Sequence, residues 1–399
     1  MEYKKEIQIN KQKYIEKLQS RPIVIFTASE GGRRVLEFLK SLNIVPDYFC
    51  DNVKEKQNEK FHGIDVISPE KIINIYGVNG VNIFIASISF VTEIYNQVIE
   101  LGFDENNIFS PSYYIESQTG KKLFPIKLHD EMLKNVRSVE LEMLKILHKI
   151  CEKHNIKYYI MFGTLLGAVR HKGYIPWDDD TDVAMMRDDY NRFLEVCKTE
   201  LPQEYFLQTP ETDPQTHVLF AKIRKNDTLY EQLSISGRGC HKGIWLDIYP
   251  FDNVPKIDSF FIKIQDYLYR KMRRYYVIKT NIIDKKFKNS IWGLLTLPFK
   301  PITLYKVAFK VVSFYNDRDT EYITEFTLEK DLRKKTTFRK KDFGDGCLLK
   351  FEDSEFYAPI NYKKVLKEYY GDYMKIPPVE ERENKHRIIK CNLNTKDEV

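Results

Sequence analysis

Asp180 and Asp182 stand two residues apart at the head of the apolar run Val183-Ala184-Met185-Met186. On a strand, residues two apart project from the same face. The spacing therefore predicts a strand that carries two like charges side by side. Such a pair repels itself and costs stability unless a cation lies between the groups. A hard, oxygen-preferring ion such as Mg²⁺ or Mn²⁺ meets that need. A third carboxylate is then expected from a neighbouring strand. The segment Gly243-Ile244-Trp245-Leu246-Asp247-Ile248-Tyr249-Pro250 offers Asp247 among residues that read as buried strand. A charge in that setting is rare unless paired or bound to metal. Singly, each feature is ordinary, because a lone D-x-D is common on surfaces and a lone strand Asp is satisfied by an Arg. The conjunction points to a metal–carboxylate site.

The residues ahead of the acids support it. Tyr158 to Phe162 reads as a short strand, Gly163-Thr164 ends it, and Leu165 is expected to open a helix. Free amides at a helix start bind anions. Gly163 and Thr164 are therefore candidates for contact with phosphate, Gly163 because it allows close approach. Arg170 and Lys172 lie between the two elements, and Arg224 follows a predicted strand. All three are candidate phosphate ligands; the competing reading for each is a solvated surface role. Upstream, Leu133, Val136, Glu140, Met143, Leu147 and Ile150 step by three or four, which predicts a helix from Asp130 to near His154 with one polar exception, Glu140.

Residues 21–115 have a different rhythm. Pro22 to Thr27, Tyr48 to Cys50 and Asn82 to Ala86 read as buried strands, and Arg33 to Leu42 and Val91 to Leu101 as helices. Strands alternating with helices imply a parallel, doubly wound sheet. The turn Thr27-Ala28-Ser29-Glu30-Gly31-Gly32 departs from the dinucleotide fingerprint. Thr27 and Ser29 stand where the first two glycines belong, and Glu30 would set a carboxylate near the phosphates. Asp51 has the right spacing for a ribose contact but is weak evidence alone. This region is similar to the small Rossmann-like domains that precede some sugar-modifying transferases and acetyltransferases. It is expected to bind no cofactor.

The expected organisation is α/β: a Rossmann-like domain over 1–115, a linker over 116–129, and an α+β domain over 130–399 with a basic helical insertion at 256–315. The net charge of +6 over 399 residues is too mild for a nucleic-acid coat. The start has no apolar core of a signal peptide. The apolar stretch Ile291 to Phe299 falls far short of the ~20 residues that span a bilayer. Six scattered cysteines include no C-x-x-C pair, so a cytoplasmic location is expected. The charge is uneven, however. Residues 256–310 hold thirteen basic residues against Asp258, Asp266 and Asp284, a local +10, interleaved with Phe260, Phe261, Tyr267, Leu268, Trp292, Leu294, Leu295 and Phe299. That mixture is the signature of a segment lying on an anionic membrane surface, at the inner face of the plasma membrane here.

Three segments carry a family resemblance: GTLLGAVRHKGYIPWDDDTDVAM from Gly163, KGIWLDIYPFD from Lys242, and YYGDYMKIPPVEERENKH from Tyr369. From about Asp130 to the C-terminus, with an insertion, the chain resembles the LicD family of the nucleotidyltransferase-fold superfamily. That family includes bacterial phosphocholine transferases and the fukutin-related ribitol-phosphate transferases. The resemblance implies transfer of a phospho-alcohol from a CDP-linked donor to a hydroxyl of a cell-surface glycan or its lipid-linked precursor, with release of CMP. Lipopolysaccharide, teichoic acid and capsule are the acceptor classes it brings into view. It implies that Asp180, Asp182 and Asp247 hold one or two Mg²⁺ or Mn²⁺ ions, with Asp178 completing or orienting the metal shell. It makes Trp177, Arg382 and His386 candidate substrate contacts. Choline, ribitol and glycerol remain open as the alcohol, and Asp247 or a metal-bound alkoxide as the base. Two other classes stay in play: a nucleotidyltransferase moving NMP from an NTP, and a non-catalytic scaffold of glycan assembly.

Overall fold

The structure, a computed structural model, describes residues 16–86, 91–109, 126, 128–255, 260–280, 300–327, 335–378, 382 and 386–395. The chain divides into two compact units, residues 1–127 with 387–389, and 128–386 with 390–399. Most of the linker expected over 116–129 lies outside the described residues, as do Ile291 to Phe299 and the middle of the basic insertion.

The first unit is built on a six-stranded sheet. Its elements in chain order are β1 (Ile23–Phe26), α1 (Glu30–Ser41), β2 (Tyr48–Cys50), β3 (Lys60–Phe61), β4 (Ile64–Ile67), α2 (Pro69–Tyr76), β5 (Asn82–Ile85), α3 (Val91–Glu100) and β6 (Ile108–Phe109). The strand order is β3-β4-β2-β1-β5-β6. All neighbours run parallel except the β3–β4 hairpin. The two-residue alternation of side chains explains the two cores. Ile23 and Ile25 of β1 pack with Val35, Leu36 and Leu39 of α1 on one face, and Val24 and Phe26 pack with Ile72 and Val98 on the other. Helix α1 starts where the Ser29 side chain accepts from Gly32 N–H, and α2 starts at Ser68 with Pro69 in its first turn. The parallel, helix-flanked sheet expected from the alternation is present.

The second unit mixes helices with a seven-stranded sheet. Helix α4 (Asp130–His154) buries Leu133, Val136, Glu140, Met143, Leu147 and Ile150 on one stripe and ends at Asn155 in the left-handed conformation. It is followed by β7 (Tyr159–Ile160), α5 (Phe162–Arg170), β8 (Asp182–Met186), α6 (Arg187–Glu200), β9 (Tyr205–Gln208), β10 (Ala221–Lys225), β11 (Leu229–Gln232) and β12 (Trp245–Val254). Helices α7 (Phe260–Thr280) and α8 (Pro301–Val312) come next. Then follow β13 (Tyr322–Thr324), β14 (Thr337–Arg339), the hairpin β15 (Cys347–Phe351) and β16 (Ser354–Ala358), and α9 (Tyr362–Tyr370).

Strand β12 organises this sheet. Its residues 245–248 pair with antiparallel β10, 247–251 with parallel β8 on the other side, and 252–254 with β13. Nine of its ten residues are buried, the charged Asp247 and Asp252 among them. One expectation is corrected. Helix α5 opens at Phe162 rather than Leu165: β7 ends at Ile160, Met161 stays extended, and the chain turns at Phe162 (φ 47°). Gly163 and Thr164 thus lie in the first helical turn. Among the described residues no helix is long and apolar enough to cross a membrane.

Candidate active site

Sheet register assembles the site. Strands β8 and β12 run parallel with Asp182 opposite Asp247, and antiparallel β10 sets Lys222 opposite Asp247 on the other side. Residues opposite one another share a face. One row, Asp182–Asp247–Lys222, therefore crosses three strands. Asp180 joins it from the residues just ahead of β8. Oxygens of Asp180, Asp182 and Asp247 all lie within 4.8 Å of one another. Asp182 is fixed locally, since its backbone N–H donates to Thr164 Oγ1 at 2.8 Å. Asp247 is fixed by Tyr249, whose hydroxyl donates to Oδ2 at 3.3 Å.

The electrostatics are those of crowded, dry carboxylates. Burial pushes the Asp182 pKa well up, and Asp180 and Asp247 push it further. Burial also raises Asp180, against the pull of His386. Lys222 Nζ sits 2.7 Å from Asp247 Oδ1, at ion-pair distance but outside hydrogen-bond angles. Burial lowers the Lys222 pKa, and Asp247 holds it up. Asp182 Oδ1 and Asp247 Oδ1 are buried with no hydrogen bond. One ammonium facing three carboxylates leaves a negative remainder. Hard oxygen donors with unfilled lone pairs are what a divalent cation of the Mg²⁺ or Mn²⁺ type requires.

A second group adjoins the first. His386 Nδ1 lies 3.0 Å from Asp179 Oδ1, and Nε2 lies 3.5 Å from Asp180 Oδ2. Burial alone would lower this histidine, but Asp179 and Asp180 lift it to about 9. The ring meets Trp245 edge-on at 5.3 Å. Beneath lies Glu140, the polar exception on α4. It is fully buried, with Thr181 donating to Oε2 at 3.3 Å and Oε1 without a partner. Burial and then Asp180, Asp179 and Asp178 drive its pKa well above the usual range.

The remaining candidates are distributed as follows. A Cβ on Gly163 would collide with Asp178 Oδ2, so that glycine makes room for a carboxylate. Asp178 belongs to neither cluster of ligand atoms; its carbonyl accepts from Arg137 Nε at 3.0 Å and Nη2 at 2.6 Å. Arg170 donates to the Tyr373 carbonyl at 2.9 Å and to His171 Nε2 at 2.9 Å. Lys172 is exposed in a left-handed turn (φ 61°). Arg224 is buried on β10, donating to Gln208 Oε1 at 2.8 Å and to the Gly243 carbonyl at 2.7 Å. Trp177 stacks under Arg382 at 5.2 Å, and Arg382 Nε donates to the Pro377 carbonyl at 2.8 Å.

One participant and one pairing escaped the sequence reading. Lys222 lies two residues before Arg224 on the same strand, and the two-residue alternation of side chains, which puts both on one face, is the signal that would have found it. Asp179 reads from sequence as a weaker candidate than Asp178 for the metal shell; its pairing with His386 had no signal, because the two are 207 positions apart. An aromatic wall borders the acids. Phe162 meets Tyr249 at 5.3 Å and Tyr369 at 5.1 Å, and Phe220 meets Tyr249 at 4.6 Å. Burial, and after it Asp182 and Asp180 among others, raises the hydroxyls of both Tyr249 and Tyr369.

Comparison with known proteins agrees with this division. Residues 155–284 match the family described as LicD/FKTN/FKRP, nucleotidyltransferase domain, and residues 19–109 match that described as C2185-like, N-terminal. The lipopolysaccharide cholinephosphotransferase LicD of Haemophilus influenzae is 30% identical over 261 residues, which is 64% of this chain and 96% of that protein. An uncharacterised protein of Rickettsia typhi is 28% identical over 224 residues, 49% of this chain and 72% of that one. Among solved structures, UDP-D-quinovosamine 4-dehydrogenase from Vibrio fischeri matches 23% of this chain and 76% of that chain at 16% identity, with a TM-score of 0.19 that carries no argument.

Proposed function

This chain belongs to the LicD family and is a phosphotransferase; from that premise we propose that it transfers a phospho-alcohol, phosphocholine foremost, from a CDP-linked donor to a glycan hydroxyl. The observation that carries this reading is the row Asp182–Asp247–Lys222 with Asp180 beside it. The cholinephosphotransferase activity of the Haemophilus relative supports phosphocholine among the alcohols. So does the aromatic wall of Phe162, Phe220, Tyr249 and Tyr369, since ring faces attract a quaternary ammonium.

Asp180, Asp182 and Asp247 would hold one or two Mg²⁺ or Mn²⁺ ions, which supply charge neutralisation on the phosphoryl oxygens. The chain's own residues do the rest. The first-turn amides of Gly163 and Thr164 offer donors to the pyrophosphate. Thr164 Oγ1 holds Asp182 in place, and Lys222 and Tyr249 hold Asp247. The acceptor oxygen attacks phosphorus, the bond to the CMP oxygen breaks, and the hydroxyl proton passes to a carboxylate of the cluster. In-line displacement of this kind depends on positioning and electrostatics more than on covalent chemistry. The acceptor is a glycan, met in lipid-linked form at the inner membrane face.

The test is incubation with CDP-choline, CDP-ribitol, CDP-glycerol and each NTP in Mg²⁺, with and without EDTA. CMP release from CDP-choline on addition of glycan acceptor, lost in EDTA, is the expected result. Pyrophosphate release from an NTP would make the chain a nucleotidyltransferase. Inertness toward every donor would make it a scaffold.

A further inference from the structure

Helix α7 presents two incompatible faces. Its inner face sets Ile262, Tyr269 and Tyr276 against Leu304, Tyr305, Ala308 and Val312 of α8 in one buried cluster, and Gln265 Nε2 donates to the Val311 carbonyl at 2.9 Å. The helix is therefore held in place from one side. The opposite side carries Phe260, Phe261, Ile264, Tyr267 and Leu268, exposed by 71, 59, 40, 61 and 40%. These five lie within nine positions at spacings of three and four, so they share a face. They are a third of the fifteen large apolar side chains exposed among the described residues. Scattered exposed apolar groups are ordinary, whereas a contiguous patch marks an interaction surface.

Charge identifies the partner. Helix α7 carries Lys263, Arg270, Lys271, Arg273, Arg274 and Lys279, against Asp266 alone, which pairs with Arg270 at 2.7 Å. Helix α8 adds exposed Lys306, Lys310 and Val307, and Phe314 follows it at 60% exposure. A second copy of the chain docked here would bring cationic helix against cationic helix. A nucleic acid would use the cations but leave Phe260, Phe261, Ile264 and Leu268 in water. An anionic bilayer uses both: headgroups meet the Lys and Arg, and the acyl boundary takes the large apolar groups.

We infer that the exposed face of α7, extended by α8, docks this protein on an anionic membrane surface, with Phe260, Phe261, Ile264, Tyr267 and Leu268 inserted at the headgroup boundary. The inference goes beyond the proposed chemistry and stands whichever alcohol is transferred. It restricts the membrane contact expected over 256–310 to one helix face.

Vesicle sedimentation tests it. Full-length protein is mixed with vesicles of phosphatidylcholine alone, or of equal parts phosphatidylcholine and phosphatidylglycerol, at low and high salt. It should pellet with the anionic vesicles at low salt and be released by high salt. The triple variant Phe261→Ser/Ile264→Ser/Leu268→Ser should lose more than about tenfold in partitioning. Lys263→Gln/Lys271→Gln should lose roughly thirtyfold at low salt. Both should keep the circular-dichroism melt of the parent, and turnover on a water-soluble glycan acceptor within about twofold, because neither touches the carboxylate site. Turnover on soluble acceptor thus separates failure of the proposed chemistry from failure of docking. Protein that stays in the supernatant with anionic vesicles at low salt overturns the inference. So does a serine variant that pellets like the parent, or a parent dimer in sedimentation velocity that the serine variant abolishes, which would assign the face to self-association.

Discussion

Each unit buries an aspartate at the end of a parallel strand, and the two are treated in opposite ways. Asp51 follows β2 and is 5% exposed. Its Oδ2 accepts from the Ala28 N–H at 2.9 Å and from Lys56 Nζ at 3.2 Å, and its Oδ1 accepts from the Val53 N–H at 3.0 Å. The carboxylate stitches the β1–α1 turn to the loop after β2. The acid that would face a ribose in a dinucleotide site is thus already engaged by its own chain. Asp182 and Asp247 are as deeply buried, yet Asp182 keeps an oxygen with no hydrogen bond, Asp247 Oδ1 meets the Lys222 ammonium at ion-pair distance, and both crowd one another and Asp180. Burial by itself therefore does not mark function. A buried acid whose lone pairs are filled by its own chain is a structural tie. Three buried acids that share one ammonium repel one another and cost stability, a cost that the proposed cation would offset.

The contrast is broken or sharpened most strongly at the acids. Asp180→Asn or Asp182→Asn should reduce turnover by roughly a thousandfold or more, since each removes a charge the proposed cation needs, while the melt in EDTA stays level or rises as repulsion is relieved. CMP release and calorimetry on the same samples check this. Retained activity in either variant would dissolve the distinction between the two kinds of aspartate.

Lys222 comes next. Lys222→Met leaves Asp247 buried beside two like charges without its ammonium. The loss in EDTA should be about 3 kcal/mol, the usual cost of removing one partner of a buried pair. Added Mg²⁺ should recover more of the melting temperature in this variant than in the parent. An unchanged melt would mean that the ammonium does not offset the acids.

At Asp51 the expected effect is smaller and of another kind. Asp51→Asn should cost about 2 kcal/mol through weakened bonds to Ala28, Val53 and Lys56 and leave kcat within about twofold. Denaturant melts and steady-state kinetics separate the two. A large fall in kcat at unchanged stability would give the first unit's aspartate a part in the chemistry.

The smallest effect lies at His241, which stacks on Phe206 at 5.3 Å. Its Nδ1 accepts from the Gly243 N–H at 3.0 Å, and Nε2 stands 3.0 Å from Asn226 Oδ1, which suits the neutral ring with its proton on Nε2. Burial, helped by Arg224, lowers its pKa to about 4. The unfolded chain binds the proton more tightly, so this contribution is complete above pH 6.5 and is lost as pH falls toward 4. Allowing for partial exposure, about 1 kcal/mol should disappear across that window in the parent and not in His241→Gln. Urea melts at pH 7 and pH 4.5 measure the difference.

Much of this was legible beforehand because the physics behind it is local. Short apolar runs marked β1, β2 and β5 as buried strands, period three to four marked α4, and the buried setting of Asp247 was readable from the apolar residues on either side. The sequence by itself determined a parallel sheet in the first unit and an acid on each of two strands of the second; the expected strand with two acids is corrected, since β8 begins at Asp182 and Asp180 lies in the residues just ahead of it. Where the chain bends was harder: Phe162 takes the left-handed region at the start of α5, which no propensity of Phe announces. Tertiary structure alone decided the rest. Register between β8, β10 and β12 set Asp182, Asp247 and Lys222 in one row. A C-terminal histidine came to lie between Asp179 and Asp180. Packing of α7 on α8 chose which side of a helix with apolar residues all round was left in water. Those outcomes depend on contacts between residues tens to hundreds of positions apart, and periodicity reports only on neighbours within a turn or two.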